Sequence, residues 1–308
     1  MYSFTQLKRS LETPALFGRE LNRLYHRRLN ARRYNTRGTD IFAEDWDTLI
    51  ILDACRYDMF ERISDLPGRL ETRTSRGSST PEFLRANFDD RELLDTVYVT
   101  ANPQLYRKRD QIETTLHAVI DVWNEEGWNE QYGTVLPETV AEAAIDAAET
   151  YPNKRHVVHF MQPHYPFLSD ETEFDKGHLE NEDAEEGNAW TQLIEGTVEV
   201  DVELLWELYD DNLRRALPSV ERLLTELSGR TVVTADHGNM IGERARPVPI
   251  RPGGHPRGLY TEQLVKVPWL VCDGEARRQI TAETPTRAHD DVDENVVTER
   301  LRNLGYAE

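Results

Sequence analysis

Two short apolar runs lie far apart in this sequence, and each ends on side chains that bind metals. Leu49-Ile50-Ile51-Leu52 runs into Asp53, and Thr231-Val232-Val233-Thr234 runs through Ala235 into Asp236-His237-Gly238. Short β-branched runs bounded by polar residues suit buried strands of a parallel sheet. In open α/β sheets, ligands collect beyond the carboxyl ends of the strands. The two runs therefore predict one sheet edge that carries Asp53, Asp236 and His237. Carboxylate with imidazole suits Zn²⁺ or Mn²⁺, and carboxylate alone leans toward Mg²⁺ or Ca²⁺.

Between and beyond these runs, strand and helix signals alternate. A helix is expected over Tyr57–Ser64 and a polar turn over Thr72–Thr80, with Pro81 opening a second helix at a favoured first-turn position. Asp95–Thr100, His156–Met161 and Val267–Cys272 read as strands. Pro137–Thr150 reads as a helix from its alanines, glutamates and apolar spacing. Val202–Leu227 reads as one helix or a pair around Pro218, and Val292–Leu304 as a final helix. The alternation predicts an α/β fold: a mostly parallel central sheet with helices on both faces. His156 and His159 flank two valines and read as strand histidines.

Charge divides the 308 residues unevenly. The chain carries −20 overall, yet residues 1–40 hold nine Lys/Arg against three acids, a net of +6. The remaining −26 argues against nucleic acid as a partner. The expected organisation is a basic arm over 1–44 and one catalytic domain over 45–308, with an acidic insertion at about 169–203 that holds 13 Asp/Glu. That insertion is read as solvated surface before it is read as a lid. In the arm, Phe17, Leu21, Leu24 and Tyr25 fall at helical spacing between arginines. A helix whose arginines pair with the acidic body is expected ahead of peripheral contact with an anionic membrane. No run reaches the roughly 20 apolar residues of a membrane span, and no secretory h-region is evident. Two cysteines, Cys55 and Cys272, make no disulfide framework and are expected as buried thiols. The acidic balance fits a cytoplasm of high salt.

The motifs in order resemble the alkaline phosphatase superfamily, in its sulfatase-like and phosphoglycerol-transferase-like branch. The matching pieces are Leu52-Asp53-Ala54-Cys55-Arg56-Tyr57-Asp58, Ser79-Thr80-Pro81, Pro163-His164-Tyr165-Pro166, Asp236-His237-Gly238, and His255 ahead of Val267-Pro268. The resemblance implies one or two divalent ions (Mn, Zn, Ca or Mg) held by Asp53, Asp236 and His237. It makes Ser79 the nucleophile and a metal contact, with Thr80 as the alternative. His164 and His255 would contact the transferred group. Alternatively, His255 would hold a second metal with Asp210 and Asp211. Arg56 would orient the first ligand with Asp58, or clamp an anionic oxygen.

One departure bears on the chemistry. Sulfate-ester hydrolases of this family carry Cys or Ser followed by x-Pro-x-Arg, whereas here Phe83 stands where the arginine would be. An unmodified hydroxyl activated by metal suits phosphoryl transfer better. The expectation is a metal-dependent hydrolase of phosphate or sulfate esters, leaning to phosphate, on a small-molecule or glycan substrate. The alternatives are a phosphoglycerol- or phosphoethanolamine-type transferase acting on a glycan or lipid, and a non-catalytic, metal-stabilised scaffold.

Overall fold

The computed structural model describes residues 14–29, 31–124, 127–169, 202–274, 276–286 and 292–306. The acidic insertion expected at 169–203 lies almost wholly outside them. Nine strands are present among these residues: β1 (Thr48–Leu52), β2 (Arg69–Thr74), β3 (Arg91–Thr100), β4 (Thr114–Asp121), β5 (Trp128–Asn129), β6 (Thr134–Val135), β7 (Arg155–Phe160), β8 (Thr231–Thr234) and β9 (Lys266–Cys272). The helices are α1 (Pro14–His26), α2 (Tyr57–Ile63), α3 (Thr80–Phe88), α4 (Gln104–Arg107), α5 (Pro137–Thr150), α6 (Val202–Glu226), α7 (Glu262–Val265) and α8 (Glu294–Asn303). None is long and apolar enough to cross a membrane.

Seven strands form one sheet in the order β2-β9-β8-β1-β7-β3-β4. β8, β1, β7, β3 and β4 pair in parallel, while β9 and β2 add antiparallel strands at one side. The sheet is mostly parallel, with helices on both faces, as the alternation of elements predicts. Because side chains alternate along a strand, Ile50 and Leu52 face one layer while Leu49 and Ile51 face the other. Ile50, Leu52, Val97, Val99, Val158 and Val233 pack with α2, α5, α6 and α8. Leu49, Ile51, Tyr98, Val157 and Val232 pack against Phe83, Leu84 and Phe88 of α3. That second layer brings the start of α3 to the carboxyl ends of β1 and β8.

Within the described part of the basic arm, α1 docks on the loop after β8. Its contact face is built from Gly18 and Asn22, not from the apolar residues. Asn22 Nδ2 donates to Val248 O at 2.8 Å, and Val248 N donates to Asn22 Oδ1 at 2.7 Å. A Cβ on Gly18 would lie 2.6 Å from Ile250 Cγ2, so a side chain there would have to displace Ile250. Phe17, Leu21 and Tyr25 are left facing solvent. Arg27 pairs with Glu82 of the acidic body, and Arg23 pairs with Glu20 of its own helix. Cys55 is buried and Cys272 half-buried, both free.

Candidate metal centre

Four neighbouring strands deliver polar side chains to one edge of the sheet. Asp53 follows β1, Asp236 and His237 follow β8, His159 sits near the end of β7, and Asn102 follows β3. Parity explains why they meet. Ile51 pairs with His159 and with Thr234 in the parallel register. Residues two apart share a face, so Asp53, His159 and Asp236 all project into the layer that holds α3. All three are fully buried, and their ligand atoms lie within 4.8 Å of one another.

His237 completes the group. Its Nδ1 is 2.8 Å from Gly238 O, so Nδ1–H donates there and Nε2 carries the lone pair. That lone pair lies 3.3 Å from Asp236 Oδ2 and 3.7 Å from Asp53 Oδ1. A ligating histidine that donates its other N–H to a backbone carbonyl is the usual arrangement around metals. The turn that places Asp53 is equally specific. Ala54 adopts a left-handed φ of 60°, a strained conformation for a residue with a Cβ. It aims its N–H at Asp236 Oδ1, 2.9 Å away.

Electrostatically this cluster calls for a cation. Burial raises both carboxyls. At Asp53 that is outweighed by His159, 3.5 Å away, and by electrostatic interaction with the neighbouring imidazoles of His164 and His237, which hold it well below the usual carboxylate range. At Asp236, burial and the charge of Asp53 win, and its carboxyl is pushed up. Asp53 Oδ1, Asp236 Oδ2 and His159 Nε2 are buried without a hydrogen-bond partner. Each such group costs about 1–3 kcal/mol if left unsatisfied. Oxygen and imidazole donors with unspent lone pairs fit a divalent cation of the Zn²⁺ or Mn²⁺ kind.

Thr80, the first residue of α3, stands at the edge of this group. Its Oγ1 is 3.3 Å from Asp53 Oδ2, 3.3 Å from His237 Nε2 and 3.2 Å from the Tyr306 hydroxyl. Ser79 caps the helix in position only: its Oγ is buried and unpartnered. The other hydroxyls nearby have structural tasks. Ser75 Oγ donates to Asp236 O, and Ser78 Oγ bonds Glu82 and Pro256 O. In the first turn of α3, Glu82 N and Phe83 N both donate to Ser79 O. The positive dipole end of the helix lies here.

His164 and His255 meet beside this group, with their Nε2 atoms 2.9 Å apart. His164 Nδ1 is 2.6 Å from Tyr165 O. It donates there, so His164 Nε2 is the acceptor and His255 Nε2–H the donor. Burial is the largest influence on each, and it lowers both pKa values, His255 well below its ordinary value. Both imidazoles are therefore neutral at neutral pH.

The structure does not bring Asp210, Asp211 or Arg56 into the cluster. Asp210 is held by Arg62 at 2.6 and 2.8 Å, and exposed Asp211 pairs with Arg214 at 2.7 Å. Asp210 is buried in its pair with Arg62, whereas Asp211 lies on the exposed side of α6. Arg56 forks onto Asp58 at 2.8 and 2.6 Å and reaches Asn239 O at 3.1 Å and Glu243. It ties the loop after His237 to the start of α2.

Three site residues escape sequence reading. His159 looks like a strand histidine until the register is known; its parity with Asp53 is the signal. Asn102 Nδ2 donates to Asp53 Oδ2 at 2.6 Å and to the Tyr306 hydroxyl at 2.8 Å. Tyr306, from the end of the chain, stacks on His164 with ring centroids 5.3 Å apart. Nothing in their local sequence marks either one.

No protein-family model and no curated protein matches this sequence. Solved structures similar to it include lipooligosaccharide phosphoethanolamine transferase A of Neisseria meningitidis, an integral membrane protein. There the identity is 13%, the match covers 74% of this chain and 47% of that one, and the TM-score is 0.46. This chain thus spans less than half of that protein. The C-terminal periplasmic domain of EcEptC from Escherichia coli, in complex with Zn, matches at 13% identity over 77% of this chain and 76% of that one, with a TM-score of 0.45. The corresponding domain of phosphoethanolamine transferase EptC from Campylobacter jejuni matches at 14% identity, over 73% and 77%, with a TM-score of 0.43.

Proposed function

We propose that this protein is a metal-dependent enzyme that cleaves phosphoric esters, with Thr80 as nucleophile. The observation that carries the reading is Thr80 Oγ1, 3.3 Å from both Asp53 Oδ2 and His237 Nε2, beside carboxylate and imidazole atoms with no other partner. Asp53, Asp236, His237 and His159 would hold the cation. Bound there, a divalent ion supplies the charge that lowers a hydroxyl's pKa and neutralises ester oxygens.

The chain's own groups do the rest. Asp53 Oδ2 and His237 Nε2, each 3.3 Å from Thr80 Oγ1, are the two acceptors within reach of its single hydroxyl proton. Thr80 Oγ1 bonds to phosphorus as the ester P–O bond breaks, and the departing oxygen takes up the proton that Thr80 releases. Water or an acceptor hydroxyl then reverses the exchange and restores Thr80. Tyr306 OH lies beside Thr80 as a donor for the ester oxygens, and His255 Nε2–H would leave His164 Nε2 to join it. Neutral imidazoles suit that task better than donation of a full proton to the leaving group. The absent arginine after Pro81 favours phosphate over sulfate.

Water and a hydroxyl acceptor are both compatible with this site. Transfer to a lipid or glycan hydroxyl is favoured by α1, whose exposed Phe17, Leu21 and Tyr25 lie among arginines, a pattern suited to an anionic membrane surface. The test is turnover of nitrophenyl phosphate, bis-nitrophenyl phosphate and nitrophenyl sulfate by chelator-stripped protein with each metal restored. Thr80→Ala is expected to lose at least about a hundredfold in kcat, and Ser79→Ala to keep most of it. Full turnover by Thr80→Ala would remove it as nucleophile. Faster release of nitrophenol on adding glycerol, with glycerol phosphate formed, would mark a transferase.

A further inference from the structure

Behind the first turn of α3 lies a cavity of about 370 Å³, lined by Arg27, Glu82, Arg85, Lys108 and Arg257 together with Arg33. That volume falls in the range of pockets that take small organic ligands. Five cations around one carboxylate is an anomaly in a chain of net charge −20. One carboxylate cannot balance five cations: its charge acts on Arg257, but its oxygens are engaged elsewhere. Glu82 is buried and accepts from Ser78 N and Ser78 Oγ at 3.0 Å, from the Tyr260 hydroxyl at 2.8 Å, and from Arg27. Arg33, Arg85, Lys108 and Arg257 have no carboxylate partner among the described residues; Arg85 reaches only Gln111. Elsewhere on this surface, arginines are routinely paired, as Arg215 is with Glu138 and Arg222 with Glu142 and Glu226. Holding like charges together without counter-charge is unfavourable. Its cost shows at Lys108, lowered by desolvation and by Arg257, Arg107 and Arg85.

The cavity shares both of its walls with the metal centre. Pro81 and Glu82 directly follow Thr80 on α3, and Arg257 lies two residues beyond His255. Ser78 Oγ clamps the two walls: its one proton is shared between Glu82 at 3.0 Å and Pro256 O at 3.1 Å, and it accepts from Gly258 N at 2.9 Å. A ligand seated here therefore lies against Pro81 and Glu82, the residues that directly follow Thr80.

We propose that this cavity is an anion subsite, which binds a second phosphate group carried by the substrate or the acceptor. The choice of phosphate rests on the phosphoric-ester reading above; the anion site itself does not. Guanidinium and ammonium groups grip phosphate by charge-assisted hydrogen bonds, and net positive charge in a concave wall concentrates polyanions.

The test is calorimetric binding of inorganic pyrophosphate to full-length, chelator-stripped protein at low ionic strength. Wild type is expected to bind, and more weakly as salt rises. Lys108→Ala combined with Arg257→Ala is expected to lose about tenfold or more in affinity, while Lys108→Arg with Arg257→Lys retains binding and Asp53→Asn leaves it unchanged. Glycerol 3-phosphate and phosphatidylglycerol vesicles then serve as competitors; displacement by the first supports a soluble ester, by the second a lipid headgroup. With an ester carrying a second phosphate, the double alanine variant should raise KM and spare kcat. No pyrophosphate binding by wild type, equal binding by the alanine variant, or loss through Asp53→Asn alone would overturn the proposal. Pyrophosphate binding without any ester turnover would leave the subsite standing and count against the phosphoesterase reading only.

Discussion

Individual buried residues set the pH response of this protein. His156 is fully buried, and its Nδ1 accepts from Arg278. Burial, with the charge of Arg278, holds its pKa down to about 3 against an ordinary 6.5. The folded state thus favours neutral imidazole, whereas the unfolded chain protonates readily below 6.5. The stabilising contribution is present above that value and is lost as pH falls from 6.5 toward 3. The predicted outcome is a melting temperature that drops through this window in wild type and drops less steeply in His156→Gln. Parallel curves would show that His156 does not govern acid sensitivity. Thr80 illustrates the limit of sequence at this scale. Two adjacent hydroxyls, Ser79 and Thr80, are indistinguishable in a Ser/Thr-rich stretch. Only the helix start, which turns one toward Asp53 and leaves the other unpartnered, separates them.

The elements show which signals a sequence carries. β1, β7, β8 and β9 are interior strands with both faces covered, so they read as continuous β-branched runs. α5 is legible to the residue, because good helix formers and a proline start coincide. β2, Arg-Leu-Glu-Thr-Arg-Thr, lies at an edge and carries charge, so its segment reads partly as turn; it is a strand because β9 offers it a partner. β4, at the opposite edge, is missed for a related reason: it follows a charged stretch and has few large apolar residues. Pro218 does not divide α6, which runs unbroken through it. Asp53, Asp236 and His237 were legible because strand ends concentrate ligands. Asn102 and Tyr306 were not, because their roles depend on long-range packing. The loop after β8 makes a prediction of its own. Gly238 N donates to Leu264 O at 2.8 Å, and a Cβ on Gly238 would lie 2.1 Å from Gln263 O. Gly238→Ala must displace α7 or His237. It is expected to cost roughly 1–3 kcal/mol and to weaken metal affinity, by denaturation and metal titration respectively. Unchanged values in both would mean that the loop has slack.

At the scale of the whole molecule, the sheet works as a frame that forces charged groups together. Five parallel strands align their carboxyl ends, and the layer beneath α3 closes over the polar atoms they carry. Two carboxylates buried in contact oppose each other, and a bound cation turns that repulsion into attraction. Binding to the folded state alone raises stability by about 2.7 kcal/mol at a hundredfold excess over Kd. For a chain of 308 residues, that corresponds to roughly 4 °C. The decisive measurement is the melting temperature of chelator-stripped protein titrated with Zn²⁺ or Mn²⁺ at neutral pH. A saturable rise of this order in wild type, absent from Asp53→Asn and Asp236→Asn, is the predicted result. A melting temperature indifferent to both ions, or a rise of equal size in those variants, would contradict the metal centre.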